Sequence, residues 1–310
     1  MQTRRIGSLE VSVVGVGCNN FGQRIDEART KEVIDAAIDA GVNFFDTADM
    51  YANGKSEELL GRFLGKRRRD VVVATKFGNE MPGQGSGARP EYVKRALDAS
   101  LKRLGTDYVD LYQQHVPDAQ VPIAETLGAL DELVKSGKAR EIGCSNFSAE
   151  QLREARQASD TRKGSAHFVS VQNEYSLLHR EPEDEELDEC AHEALAFVPF
   201  FPLKSGLLTG KYRNGAPIPP DTRIAKYERY NKLLTEENLD KVEALASFAE
   251  SRNHTMVELA FSWLLAHPVV ASVIAGATSA EQVRMNAAAP AWTLGPADMD
   301  QIDSLLRVAV

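Results

Sequence analysis

Asp46, Tyr51, Lys76 and His115 fall at or just beyond the ends of three successive β-rich apolar runs, Asn43–Asp46, Val71–Lys76 and Tyr108–His115. These residue types together suit proton transfer to an oxygen. A tyrosine with an ordinary pKa of about 10 is a poor acid at neutral pH, but a nearby ammonium stabilises its phenolate and lowers that value. Lys76 can supply the ammonium, and Asp46 the countercharge that keeps a partly desolvated lysine protonated. His115 can hydrogen-bond a substrate carbonyl and orient it. No side chain delivers hydride, so carbonyl reduction by this set requires a nicotinamide cofactor. Singly, each residue has a bland alternative: a helix cap for the Asp, amphipathic packing for the Tyr, an ordinary surface group for the Lys or His. Four on adjacent runs favour chemistry.

The elements that must carry these groups are legible as an alternation of short β-rich runs and amphipathic helical stretches. Eight strands are expected: Val11–Gly17, Asn43–Asp46, Val71–Lys76, Tyr108–His115, Arg140–Cys144, Phe168–Asn173, Ala196–Phe201 and Ala271–Gly276. Between them, stretches such as Glu27–Ala40 place Val33, Ile34, Ala37 and Ile38 on one stripe, and Gly41, Gly105 and Gly137 stand where helices stop. Eight units without a linker predict one α/β domain over residues 1–310, a closed (β/α)8 TIM barrel whose active site lies at the C-terminal ends of the strands. Lys204–Glu236 reads as a long loop after strand 7, and Asp298–Val308 as an added C-terminal helix.

Composition narrows the partners. The 310 residues carry 45 acidic and 36 basic side chains, a formal charge of −9 that opposes binding to nucleic acid or anionic lipid. Cys18, Cys144 and Cys190 are too scattered for a disulfide framework, and no histidines form an HxxxH pair, so no metal is expected. The longest apolar stretch, Val257–Ala277, is interrupted by Glu258, His267 and Pro268, which argues against a membrane span. No signal peptide is visible, and a cytoplasmic location is expected.

The segment Gly41-Val42-Asn43-Phe44-Phe45-Asp46-Thr47-Ala48-Asp49-Met50-Tyr51, followed by Gly54–Gly61, resembles the first signature of the aldo-keto reductases. Ala74-Thr75-Lys76 and Asp110–His115 are similar to that family's lysine and histidine segments, and the likeness runs nearly end to end, including the branch that contains potassium-channel β subunits. The resemblance implies Tyr51 as general acid in aldehyde or ketone reduction, Asp46 and Lys76 tuning it, and His115 positioning the carbonyl.

Cofactor groups follow from the same resemblance. Ser145, Asn146 and Gln172 match residues that bind the nicotinamide carboxamide, although Ser148 and Gln151 also form a plain capping box beside them. Phe200-Phe201-Pro202-Leu203 stands where an aromatic usually stacks on the nicotinamide. The stretch Ser205–Tyr212, with Gly206, Lys211 and neighbouring Lys204, resembles the pyrophosphate-covering loop. Gly276, Thr278, Ser279, Gln282 and Asn286 fall in the adenosine-phosphate segment, where helix N-terminal amides suit an anion. Gly17, Cys18 and Asn19 would line the nicotinamide side, and Cys18 is either redox-sensitive or a buried inert thiol.

Departures bear on which dinucleotide is used. Gly276, Gln282 and Met285 replace residues that often grip the 2′-phosphate and adenine, whereas Arg223 resembles an arginine near that phosphate in the channel-subunit branch. NADP(H) is favoured, with NAD(H) the alternative. Gly15-Val16-Gly17 opens no dinucleotide fingerprint, because position 20 is Asn20. Two rivals to a reductase are a non-catalytic nicotinamide sensor or partner-binding subunit, and an aldolase using Lys76 as a Schiff-base nucleophile. Asn20, Phe21, Gly78–Gly87 and the loop after strand 7 are expected to wall the substrate pocket.

Overall fold

A computed structural model describes residues 1–161, 164–213, 215–220 and 222–308. Its first twelve residues fold back as an antiparallel hairpin, β1 (Thr3–Ile6) and β2 (Leu9–Ser12), which turns at Gly7 with φ of 55°. The single strand expected over Val11–Gly17 is therefore divided: Val11 and Ser12 pair with Arg4 and Thr3, and only β3 (Val14–Gly17) enters the main sheet. An unbroken apolar run does not disclose that its pairing partner changes halfway.

Strands β3, β4 (Phe44–Asp46), β5 (Val72–Phe77), β6 (Val109–Gln114), β7 (Ala139–Ser145), β8 (Phe168–Gln172), β9 (Ala196–Phe197) and β10 (Val273–Gly276) are all parallel. Each lies beside its neighbour in chain order, and β10 returns to β3. Closure comes just before β10. Phe197 N–H donates to Val269 O at 2.8 Å, and Phe197 O accepts from Ala271 N–H at 2.9 Å. The result is the expected (β/α)8 barrel. Strand β9 is shorter than the predicted Ala196–Phe201, because Pro199 and Pro202 cannot donate to a ladder.

Helices α1 (Glu27–Asp39), α2 (Lys55–Leu64), α3 (Pro90–Leu104), α4 (Ile123–Lys135), α5 (Ala149–Asp160), α6 (Glu186–Glu193), α7 (Arg223–Lys226), α8 (Glu236–Ser251), α9 (Met256–Ala266), α10 (Ala280–Ala288) and α11 (Pro296–Val308) surround the ring. In α3, Pro90 starts the helix, and Val93, Ala96, Leu97, Ser100, Leu101 and Leu104 recur on one buried stripe. Gly105 then ends it in the left-handed region at φ 64°. Helix α7 and the short helical segments Lys204–Thr209, which is kinked at Ser205 and Gly206, and Glu228–Leu233 lie in the long loop after β9. Asp221, two residues before Arg223 in that loop, lies outside the described residues. Helix α11 is the added C-terminal helix, beginning two residues earlier than expected.

Strand alternation divides the barrel interior into layers. The lower layer is apolar: Phe44, Val72, Ala74, Leu111, Ala196, Val198, Ala271 and Ile274 cluster with Ile6, Leu9 and Val11 of the hairpin, which plugs that end. Gly15 makes room for the largest of these, since a Cβ there would stand 2.9 Å from Phe44 Cδ1. Two residues further along the same strands, the inward positions become Asp46, Lys76 and Gln113, joined by Gln172 from β8.

Candidate functional site

Lys76 is fully buried, and its Nζ donates to Asp46 Oδ2 at 2.5 Å and to Thr47 O at 2.9 Å. The other oxygen of Asp46 accepts from Gln113 Nε2 at 3.1 Å and from Gln172 Nε2 at 3.0 Å. The carboxylate is thereby fixed on both sides. Lys76 Nζ also lies 5.3 Å from the centre of the Tyr51 ring, and the His115 ring meets Tyr51 edge-on at 5.9 Å. Three strands and one loop thus bring the four residues to one point.

Their electrostatics depart from the sequence expectation in one respect. Burial pushes the Tyr51 phenol up, and the opposing pull of Lys76 does not overcome it, so the tyrosine keeps its proton more firmly than a free one. Burial lowers Lys76, but the Asp46 and Tyr51 partners more than restore it, which keeps the ammonium charged. His115 is driven down to about 3, chiefly by burial and further by Lys76. At neutral pH it is an uncharged imidazole able to donate a single hydrogen bond.

These groups open into a cavity of about 970 Å3, at the upper end of the usual range for ligand pockets. Its wall includes Gly17, Asn19, Asp46, Tyr51, His115, Ser145, Asn146 and Gln172, and then Phe200, Phe201, Pro202, Leu203, Gly206, Lys211 and Arg223. Gly276, Thr278, Ser279, Gln282 and Asn286 complete the wall. Ser145 Oγ donates to Gln172 O at 2.7 Å, and Asn146 Nδ2 donates to Ser145 Oγ at 3.1 Å and to His115 O at 2.9 Å, so these three residues and the histidine are tied to one another. Ser279 caps α10 by accepting from Gln282 N–H at 3.3 Å, while Gln282 Oε1 accepts from Thr278 N–H at 2.8 Å.

Two expected cofactor residues are off this wall. Cys18 is fully buried with its thiol directed to Val16 O at 3.6 Å, and burial pushes its pKa well up, as suits an inert thiol. Lys204 pairs with Glu174 at 2.7 Å, which neutralises the charge it was expected to offer a phosphate. Of the expected substrate walls, Phe21 is core and Gly78–Gly87 does not reach the cavity, whereas Asn20 does.

The sequence reading missed Gln23, Arg24 and Tyr227, which also line it. Arg24, from the β3–α1 loop, lies 4.7 Å over the Tyr227 ring, and Arg223 and Arg229 lie 5.8 and 4.9 Å over Tyr230. None of the three guanidiniums pairs with a carboxylate among the described residues. Burial first, and then Arg24, hold Arg223 below its usual range. Only the folding of two remote loops onto each other could reveal this group. Asn19 Oδ1, Asn20 Oδ1, one Arg24 nitrogen and His115 Nδ1 are buried without partners on the same wall, as expected where a ligand supplies the missing bonds. A cavity of this volume, lined by polar groups around Tyr51 and by the guanidiniums of Arg24 and Arg223, fits a nicotinamide dinucleotide. Elsewhere, Glu189, His192 and Glu193 cluster on α6, but Arg153 and Arg156 pair with the two carboxylates. No helix among the described residues is long and apolar enough to cross a membrane.

A family model described as the aldo/keto reductase family matches residues 13–307. The chain belongs to that family. This aldo/keto reductase is 37% identical to a probable voltage-gated potassium channel subunit beta of Arabidopsis thaliana, over 99% of this chain and 97% of the relative. It is 35% identical to an L-glyceraldehyde 3-phosphate reductase of Escherichia coli strain K12, over 98% and 92% of the two chains. It is also 37% identical to the NADP(+) aldo-keto reductase yakc of Schizosaccharomyces pombe, over 85% and 79%. Membership makes the chain an oxidoreductase of a family that uses a nicotinamide cofactor.

Proposed function

We propose that this aldo/keto reductase reduces aldehydes or ketones to alcohols with NADPH, with Tyr51 as the general acid. The observation that carries the reading is the charged Lys76, held at 2.5 Å by Asp46 and lying 5.3 Å from the centre of the Tyr51 ring. Bound there, the nicotinamide would supply hydride to the carbonyl carbon. Neutral His115 donates to the carbonyl oxygen and fixes its direction, and Tyr51 passes its proton to that oxygen as negative charge develops. The raised Tyr51 pKa keeps the proton in place before reaction, and the Lys76 ammonium stabilises the phenolate left behind. Ser145, Asn146 and Gln172 would hold the carboxamide, Phe200 would lie along the ring, and Lys211 and the N-terminus of α10 would face the phosphates.

For the choice of dinucleotide, Arg24 and Arg223 favour NADPH, because unpaired guanidiniums on the cavity wall can donate bidentately to a dianionic phosphate. Loss of NADPH absorbance with nitrobenzaldehyde, run in parallel with NADH, tests the reading. Turnover is expected, faster at low NADPH than at equal NADH. Tyr51→Phe is expected to abolish turnover while cofactor affinity stays nearly unchanged. Tight NADPH binding without turnover across an aldehyde panel would reject catalysis and leave the sensor or partner-subunit reading, which the plant channel-subunit likeness favours.

A further inference from the structure

Beneath the turn that presents Tyr51 lies a carboxylic acid that the proposed chemistry does not use. Asp49 is 1% exposed, and neither of its carboxyl oxygens has a hydrogen-bond partner. Its neighbours account for this. Fully buried Glu57 of α2 takes the nearby guanidinium, accepting from Arg103 Nε at 2.6 Å, and also accepts from Thr75 Oγ1 at 2.5 Å. The titratable and charged groups facing Asp49 are Glu57 on α2, Arg103 and Tyr92 on α3, Lys76 on β5 and Tyr112 on β6, and the Met50 N–H beside it opposes the upward push of burial without overcoming it. Arg103 cannot neutralise two carboxylates at once, so burial and then Glu57 push the Asp49 carboxyl up to about 7.

The same arginine supports the turn. Ala52, Asn53 and Gly54 follow Tyr51 in the left-handed region, at φ of 51°, 54° and 88°. A Cβ on Gly54 would sit 2.5 Å from Arg103 Cδ, so the arginine stem runs directly against the turn backbone. At the other end, Asp49 N–H donates to Lys76 O at 3.1 Å. A non-glycine residue in this region costs of the order of 1–2 kcal/mol, so the turn keeps its shape only while its surroundings hold it. An ionised Asp49 would compete with Glu57 for Arg103 and draw that support away.

We propose that Asp49 is a positioning residue that works as a neutral acid, keeping Arg103 on Glu57 and under the Tyr51 turn, and that loss of its proton to solvent loosens the turn. The role in turnover rests on Tyr51 being the general acid; the effect on the turn does not. Two readouts separate these: kcat for nitrobenzaldehyde at saturating NADPH, and hydrogen–deuterium exchange of residues 49–57, corrected for intrinsic rate, both from pH 6 to pH 8. In the wild type, kcat is expected to fall roughly tenfold over this range, as one ionisation near its middle requires, while exchange rises. Asp49→Asn, an uncharged isostere, is expected to flatten both curves. Where the Asn variant folds poorly, Asp49→Leu is expected to give the same flat exchange. Exchange that stays flat in the wild type, or an exchange rise or kcat limb that persists in the variant, overturns the proposal. Exchange as expected with no turnover at any pH supports the effect on the turn and overturns the reductase reading instead.

Discussion

The lower and upper layers of the barrel interior lie two residues apart on the same strands and are held by opposite means. Below, Phe44, Val72, Ala74 and Leu111 fill the space with hydrocarbon under a hairpin plug of Ile6, Leu9 and Val11. Above, Asp46, Lys76, Gln113 and Gln172 are buried almost as completely, yet every named contact is a hydrogen bond or an ion pair. The lower layer is stabilised by apolar area alone, about 1.5–3 kcal/mol for a fully buried Phe or Leu. The upper layer contributes little net stability, because desolvation of the charges offsets their attraction. Its charges tolerate burial only while their partners are present. The seal below keeps water from the charges above, which preserves their strength for chemistry at the rim.

Removing a charge from the upper layer is therefore expected to do the most harm. Lys76→Met leaves Asp46 buried without its countercharge, held only by Gln113 and Gln172, and should cost about 3–5 kcal/mol in urea unfolding together with nearly all turnover. If Lys76→Met with Asp46→Asn costs as much as the two single changes added, the pair is not coupled and the contrast between the layers fails. Phe44→Ala in the lower layer should cost about 3–4 kcal/mol by the same measurement, with KM and kcat changing far less than in Lys76→Met. Equal losses of turnover would show that the lower layer also shapes the site.

The smallest effect expected is a pH dependence of stability. The folded-state pKa of His115 is depressed to about 3, so below the unfolded value of about 6.5 the unfolded chain binds a proton that the folded chain does not. Stability is lost as pH falls, by about 1 kcal/mol between pH 7 and pH 5.5 from this residue. His115→Asn should remove that increment from the difference between urea midpoints. An unchanged increment would place the acid sensitivity elsewhere.

Much of the site was legible because strands impose a period of two and put inward residues at their C-terminal ends on one rim. Asp46, Lys76 and His115 could be placed there from spacing, and Gln172 from the family resemblance. Ser145, Asn146 and the α10 segment followed from the family resemblance. Less legible was anything set by two loops meeting. Arg24 and Tyr227 are about two hundred positions apart, and neither sits in a patterned element. Lys204 looked like a phosphate ligand because its partner Glu174 lies across a loop, and Cys18 looked like a wall because its strand end is one.

By itself the sequence determined the eight-unit alternation, the barrel it closes into and the types of group gathered at one end, since hydrophobic periodicity and turn residues act over a few neighbours. Tertiary structure alone decided that the chain before β3 becomes a plug, that burial outweighs Lys76 at Tyr51, and that Asp49, two residues before Tyr51, is buried with no hydrogen-bond partner for its carboxyl oxygens. Desolvation and ion pairing depend on distances between segments remote in the chain, and those distances exist only once the barrel has closed.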